Sequence, residues 1–222
     1  LGRPKGVLSV PGPALLALVA LGAFLGNGTS EVRVPGWLPF LPDGAFHLRA
    51  DPLSAAMLSV VGLVATAVYV YSLGYMAGDP GQSRFFAFLD LFVAAMTILV
   101  LGGNLAVVLV GWAGVGLASF LLISFWNNRP GSEDRPLKAG LQALAANAIG
   151  DAALLLAIVL LPVGCGDVTT LQSSACTSGL AHPSLLGALI LIAACAKSAQ
   201  GPLYFWLPSA MAGPTPVSAL IH

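Results

Sequence analysis

Of the nine lysines and arginines in this chain, Lys197 alone lies inside an apolar run of membrane length, the stretch 185–207. A charge in hydrocarbon costs on the order of 3 kcal/mol on insertion scales, so such a residue marks a functional site unless a structural ion pair accounts for it. Gly201 and Pro202 follow within five residues. Proline has no N–H to offer the carbonyl of Ser198 and its ring crowds that carbonyl, while Gly201 weakens the local helix, so a break is expected beside the charge. Broken backbone is tolerated in a membrane only against protein or a water-filled cavity, and the side chains of Ser198 and Gln200 are candidates to organise water there. A lysine beside a hydrated break can take up and release a proton as a carboxylate approaches and withdraws. That is the chemistry of a proton relay.

Three more ionisable residues fall in apolar runs: Asp90, Asp151 and His222. Each has a structural alternative. At 1.5 Å per residue, Asp90 lies about 9 Å from the inner end of its run, close enough to reach back to the interface. Asp151 lies about 20 Å deep, too far for a short side chain to escape, so a bond to a neighbouring helix competes with a functional role. His222 can simply hydrogen-bond across helices, the usual fate of a lone histidine.

The elements that must position these groups are set by composition. Hydrophobic residues make up 57% of the chain and charged ones 8%, in blocks long enough to cross about 30 Å of hydrocarbon. The fold class is therefore all-α, a polytopic transmembrane helix bundle. Helices are expected at about 7–26, 52–76, 84–103, 105–126, 138–163 and 184–211, with a seventh opening at Pro216 behind Thr215 as its N-cap. The first run follows Arg3 and Lys5 like a signal peptide, but it extends over about twenty residues without an A-x-A cleavage site and reads as a true span. The seventh run stops at His222 before it is long enough to cross, so the sequence reads as an N-terminal fragment. In a membrane protein the net charge of zero says nothing about nucleic-acid or acidic partners, and without a basic patch with interleaved aromatics nucleic-acid binding is set aside. No metal-ligand cluster, CxxC pair, Walker loop or dinucleotide fingerprint occurs in the sequence.

Basic residues orient the bundle. If the first helix starts inside, the inner loops hold Arg3, Lys5, Arg84, Arg129, Arg135 and Lys138, and the outer loops only Arg33 and Arg49; the positive-inside rule selects that topology. The outer side then carries a Gly- and Pro-rich loop over 27–51, with the apolar patch Trp37, Leu38 and Phe40, and a second loop over 164–183 containing Cys165 and Cys176. Both cysteines face an oxidising compartment, where they form a disulfide if their geometry permits and otherwise remain thiols. Cys195, within a helix, is read as a small packing residue. Gly111, Gly114 and Gly116 are read as close helix packing in lipid.

The runs SLGYMAGDPGQSRFFAFLDLF, GWAGVGLASFLLISFW and AKSAQGPLYFWLPSAMAGPTPVSALIH resemble the antiporter-like large subunit of respiratory complex I, a pattern shared with the large subunit of Mrp-type sodium/proton antiporters. The resemblance covers about 49–222 and divides the chain into a first helix with its outer loop (1–48) and an antiporter-like domain (49–222). It implies a fold of two inverted five-helix repeats, the first occupying about 84–222 and incomplete here. It also implies a membrane lysine on a broken helix (Lys197), a histidine on the next helix (His222), and an aspartate in an N-x-I-G-D context (Asn147 to Asp151). Such subunits hold no redox centre or cofactor and move protons, driven by quinone reduction elsewhere in the complex. The partners implied are other membrane subunits of a respiratory complex, the lipid bilayer and, indirectly, quinone, in a bacterial plasma membrane with the N-terminal end cytoplasmic.

One position departs from the family pattern. Where the resemblance calls for a glutamate, in GWEGVG, this chain has Ala113. Lys197 then lacks its usual counter-charge, and two aspartates are candidates to replace it. Asp151, at about 20 Å from the inner face, matches the depth of Ala113, about 19 Å; Asp90, at about 9 Å, matches that expected for Lys197, about 10 Å. Three functions are compatible with these residues: proton translocation in an NADH-quinone oxidoreductase, cation/proton antiport or ion uptake of the Mrp type, and a structural membrane subunit that no longer pumps.

Overall fold

The computed structural model describes residues 6–37, 45–127, 135–171 and 173–221. Helix α1 (Pro11–Gly26) continues a short 3-10 turn, Val7–Ser9, into one twenty-residue span. It is followed by strands β1 (Ser30–Val34) and β2 (Phe46–Ala50), and by helices α2 (Pro52–Tyr75), α3 (Gln82–Leu101), α4 (Leu105–Ile123) and α5 (Arg135–Val159). Among the described residues, the five segments Val7–Gly26, α2, α3, α4 and α5 are long and apolar enough to cross a membrane. The rest of the helical chain comprises α6 (Ser174–Ser178), α7 (Pro183–Lys197), α8 (Trp206–Ser209) and α9 (Thr215–Ile221).

The four long helices fall within a few residues of the expected runs, but the run at 184–211 does not form one helix. α7 ends at Lys197, and the chain continues as a 3-10 turn (Leu203–Phe205), the single turn of α8 and a second 3-10 turn (Ala210–Ala212). Hydropathy carries on through LYFWLPSAMA, whereas Pro202 and Pro208 each remove a helix donor, so a long helix cannot persist. Thr215 also differs from expectation. It lies inside α9, whose first turn closes from Val217 N–H to the Pro214 carbonyl at 2.9 Å, and its hydroxyl faces Tyr75 OH at 3.3 Å instead of capping.

The bundle packs in chain order: α1 lies along α2, α3 along α4, α4 along α5, and α5 along α7. Small residues allow the closest approaches, as expected where lipid removes any hydrophobic drive between helices. A Cβ on Gly111 would fall 2.4 Å from the backbone N of Leu99, and one on Gly150 would fall 2.7 Å from Ala196 Cβ. These two contacts fix α4 against α3 and α5 against α7. Tyr69, Phe85, Phe86, Leu89, Phe92 and Leu122 fill the core between α2, α3 and α4, while Leu154, Ile158, Leu186 and Leu189 fill the one between α5 and α7.

The described part of the 27–51 loop is more ordered than its glycines and prolines suggest. β1 and β2 form an antiparallel hairpin in the register Glu31↔Arg49 and Arg33↔His47. Alternation in SEVRV and FHLRA supports the pairing: Arg49 Nη1 reaches Glu31 Oε1 at 3.3 Å, and His47, 3% exposed, places Nδ1 2.9 Å from Asp167 Oδ1. Arg33 donates to the other oxygen of Asp167 at 2.8 Å. Gly103, in the α3–α4 turn, donates to the His47 carbonyl at 2.9 Å and accepts from Val168 at 3.1 Å. Hairpin, turn and the 162–171 loop thus form one layer at an end of the bundle. Cys165 and Cys176 are joined by a disulfide within it, with Cα atoms 5.8 Å apart. At the start of α2, Asp51 accepts from Ser54 N–H at 2.8 Å, which holds its carboxyl below the usual carboxylate range.

Candidate functional site

Lys197 is the last residue of α7, fourteen residues beyond Pro183 and so about 21 Å along the helix from its start. The backbone behind it is capped in an unusual way. Ala199 adopts a left-handed φ of 51°, which lets the N–H of Gln200 return to the Cys195 carbonyl at 2.9 Å. Ser198 N–H and Oγ both bond to the Ala194 carbonyl, and the indole of Trp206 donates to the Ala196 carbonyl at 3.0 Å. Gln200 Nε2 lies 3.5 Å from the Ser198 carbonyl, the group that Pro202 cannot satisfy. The Gly201–Pro202 peptide is cis. Ser198 and Gln200 are exposed and complete the broken end itself.

The lysine side chain turns into the bundle. Its Nζ lies 3.8 Å from Asp151 Oδ1 on α5 and 5.7 Å from the centre of the Trp112 ring on α4. Gly116 supplies the space: a Cβ there would stand 2.9 Å from Nζ and 3.4 Å from Asn147 Cβ. Gly116 therefore accommodates the charged group, in contrast to Gly111 and Gly114, which pack against Leu99 and Ala95 of α3 as expected. Cys195 is a free, partly buried thiol on the same helix.

Asp151, and not Asp90, meets the lysine. The depth estimates left both aspartates open, placing Asp90 nearer the lysine because they ran α7 on to residue 211; with the helix ending at Lys197, the ammonium meets the N-x-I-G-D aspartate. Asp90 lies in a different seam, where it accepts from Ser9 Oγ at 3.0 Å and from the buried Tyr69 OH at 2.8 Å. His222 lies outside the described residues, as do Arg3, Lys5, Arg129, Leu38 and Phe40. Ala113 is half-buried, one turn from Gly116 and on the same face of α4.

A cavity of about 220 Å³ adjoins the lysine, lined by Trp112, Asn147, Trp206, Met96 and Leu99 among others. Among the described residues, Lys197 Nζ, Asn147 Oδ1 and Trp112 Nε1, all on residues that line the cavity, are buried without a hydrogen-bond partner, as is Asp151 Oδ1 beside the lysine. Buried polar atoms of this kind are normally satisfied by water, and the volume accommodates about seven molecules at about 30 Å³ each. Asn147 and Trp112 were not distinguishable from packing residues in the sequence. The signal that could have singled them out is helical spacing, since Trp112 and Gly116, and Asn147 and Asp151, are each four apart. Among the described residues no three His, Cys, Asp or Glu side chains converge on a metal position.

Comparison with known proteins agrees with this fold. The family model described as NADH:quinone oxidoreductase/Mrp antiporter, transmembrane, matches residues 102–222, and that of the complex I NADH-ubiquinone oxidoreductase chain 5 N-terminus matches 40–86. NADH-quinone oxidoreductase subunit L of Mycobacterium tuberculosis is 43% identical over 182 residues, 80% of this chain and 28% of that protein. NAD(P)H-quinone oxidoreductase chain 5 of a Synechocystis species is 45% identical over 220 residues, 93% of this chain and 32% of that one. Among solved structures, the Mrp complex of a Dietzia species superposes with a TM-score of 0.85 over 99% of this chain and 24% of the matched chain, at 28% identity. The chain thus spans roughly a third or less of the length of these relatives. With a family model covering more than half its length, this chain belongs to the NADH:quinone oxidoreductase/Mrp antiporter transmembrane family.

Proposed function

We propose that this chain is part of a proton-translocating membrane subunit of an NADH-quinone oxidoreductase, with Lys197 as the proton carrier, Asp151 as its counter-charge and quinone reduction occurring elsewhere in the complex. The observation that supports this reading best is the 3.8 Å approach of Lys197 to Asp151 beside a cavity with unpartnered polar atoms. An ion pair that served only structure would be closed by hydrogen bonds on both partners, because an incompletely satisfied buried pair costs several kcal/mol. Here neither Lys197 Nζ nor Asp151 Oδ1 has a hydrogen-bond partner among the described residues, and the lysine lines space that water can fill. His222 would pass the proton onward, and Asp151 does the work that the resemblance gives to a glutamate at position 113.

The test is NADH-driven proton uptake by proteoliposomes of the complete complex carrying Lys197→Ala. Pumping should collapse while the complex assembles. Undiminished pumping would remove Lys197 from the mechanism and leave packing as its role.

A second reading, cation/proton antiport of the Mrp type, is favoured by the structural match to the Mrp complex. Sodium-driven proton release from the same vesicles without NADH would select it. Either way the N-terminal end lies on the inner side, in a bacterial plasma membrane. Arg84, Arg135 and Lys138 stand at the helix ends opposite the disulfide layer, and a disulfide suits the oxidising side.

A further inference from the structure

The cavity beside Lys197 is not the nearest space to the outer surface. A larger cleft of about 520 Å³ opens between the start of α2, the end of α3 and the 162–171 loop, lined by Arg49, Asp51, Ser54, Gly102 and Thr169 among others. Among the described residues, one lines both spaces: Leu99. On its inner side lie Met96, Trp112, Asn147 and Lys197; on its outer side lies a polar surface that includes Arg49 and Asp51, whose Nε and Oδ2 are 3.5 Å apart.

Leu99 is held in place from both directions. Its backbone rests on Gly111, where a Cβ would fall within 2.6 Å of Leu99 Cα. Two residues further on, α3 ends in a turn tied by Gly103 to His47 and Val168 at 2.9 and 3.1 Å. A rigidly mounted apolar side chain between a space that holds the Lys197 ammonium and one that holds Arg49 and Asp51 forms the kind of constriction that blocks permeation by excluding water.

We propose that Leu99 is the apolar seal that separates the proton reservoir at Lys197 from the outer cleft, preventing protons held on the lysine from short-circuiting to the outer surface. The proposal rests on the proton-carrier reading of Lys197 for its purpose, but the seal itself can be measured without turnover.

The experiment uses proteoliposomes of the complete complex, with no NADH, under an imposed pH gradient. Leu99→Ser should raise the passive proton leak about tenfold, the rate equivalent of about 1.4 kcal/mol, while Leu99→Met, similar in volume, should keep the low leak. A thiol-labelling pair provides a readout independent of leak and of pumping. With a membrane-impermeant reagent added outside, Thr169→Cys should label readily, and Met96→Cys should label only when combined with Leu99→Ser. Equal labelling of Thr169→Cys and Met96→Cys with Leu99 intact would overturn the seal, as would an unchanged leak in an assembled Leu99→Ser complex. If Lys197→Ala pumps normally but the labelling contrast holds, the carrier reading fails and the seal stands.

Discussion

Replacing Asp151 by asparagine removes one charge and almost no volume, and the structure sets the scale of the effect. Two unit charges 3.8 Å apart attract by about 4 kcal/mol at an effective dielectric of about 20. At about 1.4 kcal/mol per decade, a transfer step governed by the whole of that attraction changes about a thousandfold, and one governed by half of it about thirtyfold. Asp151→Asn should therefore lower the NADH-driven pumping rate by at least about tenfold, measured as the initial rate of acidification inside proteoliposomes, with quinone reduction and assembly followed in parallel. The double variant Asp151→Asn with Lys197→Ala should be no worse than Lys197→Ala alone, because a pair acting as one unit is lost with its first member. Ala113→Glu, on the face of α4 that carries Gly116, should recover part of the pumping in the Asp151→Asn background. Pumping within about twofold of the unsubstituted complex would refute Asp151 as the counter-charge.

Three further outcomes follow from other parts of the fold. Asp90→Asn should leave pumping nearly unchanged, because Asp90 bonds to Ser9 and Tyr69 and not to Lys197, and should lower thermal stability by about 1 kcal/mol; a pumping loss as large as that of Asp151→Asn would contradict the assignment. Cys165 and Cys176 should resist alkylation until a reductant is added, and removing both should cost about 3 kcal/mol for a closed loop of this size, readable as a fall in the unfolding midpoint in detergent; alkylation without reductant would count against the bond. Ala199→Gly should stabilise by about 1 kcal/mol, since glycine adopts the left-handed φ of 51° without a Cβ penalty; a lower unfolding midpoint would show that the cap does not persist in solution.

The spans and the broken end were legible because hydrophobic length and proline chemistry act locally: the run opening at Pro52 and the stop near Pro202 are both written in neighbouring residues. Which aspartate meets Lys197 was not legible. Depth along an axis can be counted in residues, but the direction a side chain points depends on how α5 packs against α7, and that is fixed by Gly150 lying on Ala196, a contact forty-six positions apart. The β1–β2 hairpin escaped notice for a similar reason, since two five-residue strands carry little pattern of their own and are held by His47 reaching Asp167, 120 positions away. Gly116 looked like its neighbours in GWAGVG, and only the arrival of the lysine from another helix distinguishes it.

The indole of Trp206 has a mechanical consequence. It grips the Ala196 carbonyl, one residue before Lys197, while its own ring is buried against α5 alongside Ala143 and Ala146. The residues between, 198–205, form a closed loop whose two ends are clamped to the same helix stump. The segment 206–212 is therefore tied to the backbone next to Lys197 by a direct bond as well as through the chain of the break, so the break interrupts the helix without freeing its two sides from each other.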